Sequence, residues 1–382
     1  MVLRAVDEFD LSWPEFRDKL ETATQEKIAR LPQLDRLRAA KTLQVYSYGL
    51  KSRQLVPQLR KNGINCLIFD NNPLVRERAL ADGFEVIERF DPAIPIVVAA
   101  GQNQIEIMDS LTKDNLSENA YYLLETLYAL NLNTEWEKSQ HFSDSTAVNP
   151  ERLYTIYQAL NPKSRAVFLE VLQYRISLNV RHLLSRQPMA QMWMPPVANL
   201  SIQSFCDIGA YDGDTLEATK RLYPALTKSF TIEPNKALAS AIAAMSERLG
   251  IKNTNFIGAC WSHTTRLSEL GSTDGMFSLS ESKTGDIDAQ PLDALLCKDV
   301  YDFIKMDVES TELKVILGGV ESLNRATCIA VASYHLADDI VSLPTQLRML
   351  LKDNPYRKWD LYFTHSSQTF DDSIFFFVKT KR

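Results

Sequence analysis

The sequence predicts an α/β chain built from two Rossmann-like units, the second the larger, with a helical connector between them. Three observations carry this. Apolar strands alternate with helical stretches over 42–100 and again from 202 onward. Each region opens with an apolar strand running into a glycine-bearing turn: Leu43-Gln44-Val45-Tyr46-Ser47-Tyr48-Gly49 in the first, Phe205-Cys206-Asp207-Ile208-Gly209-Ala210-Tyr211-Asp212-Gly213 in the second. In each, a further apolar strand follows and ends in an acid, Asp70 at 21 residues after Gly49 and Glu233 at 20 residues after Gly213.

Taken in order, residues 1–40 read as a charged helical segment. Residues 41–104 read as a small parallel unit: strand 43–49, helix 50–62, strand 65–70, and strand 94–100 after another helix. The connector, 105–196, places Leu123, Leu124, Leu127 and Leu130 on one helical face and a second apolar helix across 164–184. Pro188, Pro195 and Pro196 then punctuate the chain. Over 197–382, strands are expected at 203–208, 228–233, 254–260, 302–307, 326–334, 358–364 and 373–379. The last two are joined by a polar loop, 366–373, too short for a crossover helix, so they should pair antiparallel.

Composition narrows the function classes. A chain of 382 residues has length for two or three domains, and 45% hydrophobic with 24% charged residues is ordinary for a soluble protein. A formal net charge of −6 argues against a nucleic-acid partner. No stretch approaches the roughly eighteen apolar residues of a membrane span. The N-terminal Asp7, Glu8 and Asp10 stand where a secretory signal would be apolar. The five cysteines lack CxxC spacing, and four fall in expected strands, which reads as buried, reduced thiols in a cytoplasmic protein.

In an open α/β sheet, ligands bind beyond the C-terminal ends of the strands. Four such ends here carry polar groups: Asp207; Glu233; Asp307, followed by Glu309 and Glu312; and Tyr334 with His335. The turn after Asp207 lacks the G-x-G-x-x-G order that cradles a pyrophosphate, which favours an adenosine ligand without phosphates, such as S-adenosylmethionine. Glu233 equally suits the N-terminus of a helix opened by Pro234, and Glu309 and Glu312 suit a helix dipole. Asp307, directly ending a buried strand, is costly unless it binds something. Clustered carboxylates are also a set that holds Mg²⁺ or Ca²⁺, although a divalent metal is the less favoured expectation. His335 has the ordinary pKa to take a proton from a hydroxyl near neutral pH.

Residues of about 200–380 resemble the FkbM-type S-adenosylmethionine-dependent methyltransferases. The resemblance is carried by Cys206 to Thr215, Glu233-Pro234-Asn235, Pro291-Leu292-Asp293, Phe303-Ile304-Lys305-Met306-Asp307-Val308-Glu309-Ser310-Thr311-Glu312-Leu313 and Tyr334-His335. It implies a class I methyltransferase fold, a seven-stranded Rossmann-like sheet with an antiparallel terminal hairpin, which the short 366–373 link already suggests. It implies methyl transfer to oxygen, often a hydroxyl of a sugar, glycan or secondary metabolite. The implied cofactor contacts are Asp207, Gly209, Ala210, Tyr211, Gly213, Glu233, Asn235 and Asp307. His335 and Asp307 are the implied base, with Lys305, Glu309 and Glu312 on the substrate or metal side. Ser310 stands where the family usually has Gly, and Asp371-Asp372-Ser373 replaces a Glu-Thr-Val.

The N-terminal unit mimics a nucleotide-binding half, but its turn has a single glycine, so a scaffold or docking role is preferred there. It is similar to modules preceding some sugar-modifying methyltransferases, which keeps a nucleotide-sugar or glycan carrier in view. Asn71-Asn72-Pro73 lacks the second proline and the aromatic of the DNA amino-group methyltransferase motif and reads as a turn before a helix. Two other functions compete: a non-catalytic scaffold retaining the cofactor pocket, and an NAD-dependent oxidoreductase disfavoured by the glycine-poor turn. The acceptor and any self-association stay open.

Overall fold

The computed structural model describes residues 10–188, 192–273, 276–353 and 355–381. The part of the expected N-terminal helical segment before residue 10 lies outside them. The chain divides into two compact units that exchange segments: 1–154, 166–186 and 367–371 form the first, and 155–165, 187–366 and 372–382 the second. The boundary passes through the helix Pro162–Ser177 and through the loop between the last two strands.

The first unit holds a parallel sheet of β1 (Thr42–Tyr46), β2 (Asn65–Phe69), β3 (Glu85–Val86), β4 (Ile96–Val98) and β5 (Ala120–Tyr122), in the order β3-β2-β1-β4-β5. β3 and β5 are additional to the expected strands. Both are very short, and β5 sits in the stretch expected to be helical, so neither leaves a period-2 signal. The helix Leu123–Ala129 is buried on nearly every side and ends before Leu130. The long apolar helix ends at Ser177, seven residues before the expected 184, because Leu178 takes a left-handed φ of +68°.

The second unit has the order β15-β16-β14-β13-β6-β7-β8. Its strands are β6 (Ser204–Ile208), β7 (Lys228–Glu233), β8 (Lys252–Ile257), β13 (Phe303–Met306), β14 (Cys328–Ala332), β15 (Arg357–His365) and β16 (Ser373–Lys381). β14, β13, β6, β7 and β8 run parallel, and β16 pairs antiparallel with both β14 and β15. This is the class I methyltransferase fold. Strand β16 is interior, which accounts for its unbroken Ile374-Phe375-Phe376-Phe377-Val378 run, all buried.

A four-stranded sheet outside that frame is new relative to the sequence reading: β9 (Ala259–Cys260), β10 (Thr265–Thr273), β11 (Met276–Glu281) and β12 (Ile287–Gln290), in the order β11-β10-β12-β9. The single strand expected at 254–260 is thus two. It breaks at Gly258, where a Cβ would come within 2.5 Å of the Asp288 carbonyl oxygen. That close approach turns the chain out of the main sheet.

Residues 367–371, between β15 and β16, are built into the first unit. The Lys51 ammonium there lies 2.9 Å from Glu135 and 2.7 Å from Asp371, and Phe370 packs against Phe142 and Trp136. Asp371, a departure from the family pattern, therefore has a structural partner. Among the described residues no helix is long and apolar enough to cross a membrane. Replacing Lys51→Ala would leave two mostly buried carboxylates uncompensated, at a cost of about 3 kcal/mol or more. Chemical denaturation of the variant checks this, and a loss below about 1 kcal/mol would contradict it.

Candidate active site

The site forms where β6, β7 and β13 end together. After β6 the chain turns through Gly209, whose φ is +81° and whose added Cβ would sit 1.8 Å from the Asp307 carbonyl oxygen. Only glycine fits that approach. Gly213, with φ +91°, then opens the helix Asp214–Leu222. The turn is held by Glu233. Its Oε2 accepts from the Tyr211 N–H at 2.9 Å and its Oε1 from the Asn235 N–H at 2.9 Å. Burial raises the Glu233 pKa against those two donors, which lower it. Each oxygen keeps a lone pair for a further donor.

Beneath the turn lies Lys305, buried. Its ammonium donates to the Gly209 carbonyl oxygen at 2.7 Å and lies 3.1 Å from Asp207 and 3.9 Å from Asp307. Burial alone would lower its pKa, but the Asp207 and Asp307 carboxylates more than offset this and raise it. Asp207 is fully buried, and that burial lifts its carboxyl to about 6 despite the nearby ammonium. The Lys305–Asp207 contact is a buried ion pair, ammonium to Oδ1. The Trp193 ring lies 5.0 Å from the ammonium.

His335 follows β14 and is buried among acids: Nδ1 is 2.8 Å from Glu312, and Nε2 is 3.4 Å from Asp307 and 3.6 Å from Glu309. Burial works against its charge, but the three carboxylates prevail and raise its pKa to about 10. The imidazole is thus an imidazolium at neutral pH, rather than the near-neutral group its type suggests. Asp307 also accepts from the Tyr334 hydroxyl at 3.1 Å. Glu309 and Ser310 both take positive φ, +53° and +77°, so the family's usual Gly at position 310 matches a left-handed backbone that Ser310 adopts here.

A cavity of about 290 Å³ opens over these strand ends. Gly209, Tyr211, Glu233, Lys305, Asp307 and Glu309 line it. Asp207, Ala210, Gly213, Asn235, Glu312 and His335 stand behind that wall rather than in it: Asp207 under Lys305, Asn235 as a backbone donor to Glu233, Glu312 and His335 behind Asp307. Sequence reasoning missed Trp193 and the second-sheet residues Cys260 and Leu279 of the wall. Trp193 has no motif, only its place between Pro188 and Pro195. Asp307, Glu312 and His335 each bring one potential metal-ligand atom within 4.8 Å of the others.

Residues 207–358 match the family model of the methyltransferase FkbM domain. No curated protein matches the chain. Solved structures similar to it include a putative O-methyltransferase from Klebsiella pneumoniae, 12% identical over 52% of this chain and 93% of that one, with a TM-score of 0.28. Another is the O-methyltransferase TomG from Streptomyces achromogenes in complex with S-adenosylmethionine, 12% identical over 52% of this chain and 92% of that one, with a TM-score of 0.30. Within the second unit, residues 207–358 are thus similar to a methyltransferase domain of the FkbM type.

The His335 cluster sets a pH dependence. Below its ordinary pKa of 6.5 the histidine is charged whether folded or not, and its ion pairs contribute in full. As pH rises toward about 10 the unfolded chain sheds that proton while the folded chain keeps it, so stability falls. Thermal unfolding between these pH values should show a decline that His335→Gln flattens. Equal slopes in the two proteins would contradict the ion-pair assignment.

Proposed function

We propose that the FkbM-type domain methylates oxygen, a hydroxyl on a sugar, glycan or other small metabolite, with S-adenosylmethionine held at Glu233. The supporting observation is the Glu233 carboxylate, fixed by two backbone N–H groups at the lip of a cavity whose other wall is Asp307 and Glu309. A ribose diol suits the free lone pairs of Glu233. The cavity wall carries four carboxylates, Asp214, Glu233, Asp307 and Glu309, while the Lys305 charge is drawn back against Asp207 and the Gly209 carbonyl. That excess of negative charge complements a cationic ligand.

When bound, S-adenosylmethionine supplies a methyl group already activated on a positively charged sulfur. The protein's own residues then need to bind, align and accept a proton. Asp307 is the base in this reading, because it lines the cavity and His335 does not. A hydroxyl lying against the Asp307 carboxylate gives up its proton there. Tyr334 and the His335 imidazolium fix that carboxylate from behind, and Glu312 fixes the imidazolium. His335 is thus a positioning residue.

Calorimetry and a methyl-transfer assay on a panel of hydroxyl acceptors check these roles. Glu233→Ala should weaken S-adenosylmethionine about tenfold or more. Asp307→Asn should lower turnover by about 10²- to 10⁴-fold. Transfer to nitrogen or carbon acceptors alone, or unchanged turnover in Asp307→Asn, would overturn the assignment. EDTA should leave turnover unaltered. Loss of turnover restored by Mg²⁺ or Mn²⁺ would instead make Asp307, Glu312 and His335 a metal site.

A further inference from the structure

The first unit repeats, in a turn two residues shorter, the hydrogen bonds that present Glu233 in the second. Ser47 has φ +80° where Gly209 has +81°. The Ser47 N–H donates to the Phe69 carbonyl oxygen at 2.9 Å, as the Gly209 N–H does to that of Ile232 at 3.0 Å. The Tyr48 N–H donates to Asp70 Oδ2 at 2.9 Å, as the Tyr211 N–H does to Glu233 Oε2 at 2.9 Å. The Asn72 N–H donates to Asp70 Oδ1 at 2.8 Å, as the Asn235 N–H does to Glu233 Oε1 at 2.9 Å. Asn72 and Asn235 then each accept, through Oδ1, the N–H two residues on at 3.0 Å. A helix starts directly after Gly49, as one does after Gly213. The correspondence extends to a strained backbone: Ser47 holds the left-handed conformation without being glycine, a feature sustained only where surrounding structure demands it.

From this match we infer that the first unit binds a ribonucleotide, with Asp70 taking the ribose 2′- and 3′-hydroxyls as Glu233 does in the reading above, on which this inference rests. Asp70 is half-buried and, like Glu233, keeps a lone pair on each oxygen after its two backbone bonds.

A difference between the turns points to a phosphorylated ligand in the first unit and an unphosphorylated one in the second. The helix Asp214–Leu222 carries Asp214 and Glu217 in its first turn, which repel phosphate. The helix Leu50–Lys61 carries no acid in its first turn. A 5′-phosphate beside Asp70 therefore meets peptide N–H groups of a helix whose own first turn holds no acid. Lys51 is not needed for this, being committed to Glu135 and Asp371. Beside Asp70, the rings of Tyr46, Phe69 and Phe90 cluster with centroids 4.4 to 5.4 Å apart, and all three are half-buried. They offer an apolar surface on which a base can lie.

The test uses the full chain and titrates S-adenosylmethionine first, so that cofactor binding in the second unit is scored separately. ADP, GDP, UDP and CDP are then titrated calorimetrically with S-adenosylmethionine present, followed by the free nucleoside and the 2′,3′-dideoxy form of the best binder. At least one diphosphate should bind without displacing the cofactor. Removing the two hydroxyls, or replacing Asp70→Ala, should weaken it about tenfold or more. Glu233→Ala should leave nucleotide binding unchanged while weakening S-adenosylmethionine, and the free nucleoside should bind more weakly than its diphosphate. The inference is overturned if no diphosphate binds at millimolar concentration, if binding ignores the hydroxyls, or if the nucleotide competes with S-adenosylmethionine. Should Asp70→Ala fail to fold, the dideoxy comparison on the unaltered protein decides alone. Nucleotide binding through Asp70 without any cofactor binding would sink the methyltransferase reading and leave this one standing.

Discussion

The close approach of two strand ends governs the active site of the second unit. Gly209 lets the turn after β6 lie directly on the Asp307 carbonyl, at a distance no side chain would permit. The Lys305 ammonium then ties that turn to β13 through the Gly209 carbonyl oxygen at 2.7 Å. A buried ammonium is costly unless balanced, and Asp207 and Asp307 balance it. Asp207 is thus explained by Lys305 beneath the site, although its place in the chain resembles that of a ligand contact. The join fixes where Asp307 enters the cavity, and the turn it braces carries the Tyr211 N–H that holds Glu233.

Charge is sorted by depth around this join. The cations, Lys305 and the His335 imidazolium, are buried with Asp207 and Glu312 beside them, and of the two only Lys305 borders the cavity. Asp307, Glu309 and Glu233 reach the cavity wall. Fixed carboxylates in a partly dry cavity attract a cationic ligand more strongly than they would in water. The same sorting withdraws His335 from direct contact with a ligand. In the proposed reaction the proton-accepting role falls to the Asp307 carboxylate, which Tyr334 and His335 contact from behind.

Much of this was legible in the sequence because it rests on local pattern. The strands ending in Asp207, Glu233 and Asp307 are apolar runs closed by an acid, and the short 366–373 link forced an antiparallel hairpin. What escaped depends on contacts between distant residues. The sheet of β9 to β12 begins and ends with short strands, and the break before β9 depends on the Gly258 approach to Asp288, a contact between residues 30 positions apart. The placing of 367–371 in the first unit depends on Lys51 meeting Asp371, 320 positions apart in the chain. The raised pKa of His335 follows from three carboxylates of the one segment 307–312 meeting a side chain from beyond the next strand, and no periodicity reports that.

The most direct measurement is a crystal structure of the full chain grown with S-adenosylhomocysteine, the product form of the cofactor. The account predicts its ribose hydroxyls on the Glu233 carboxylate and its sulfur in the cavity on the Asp307 side. Density for the ligand elsewhere, or a Glu233 carboxylate still bonded only to the Tyr211 and Asn235 N–H groups beside a bound ligand, would contradict it.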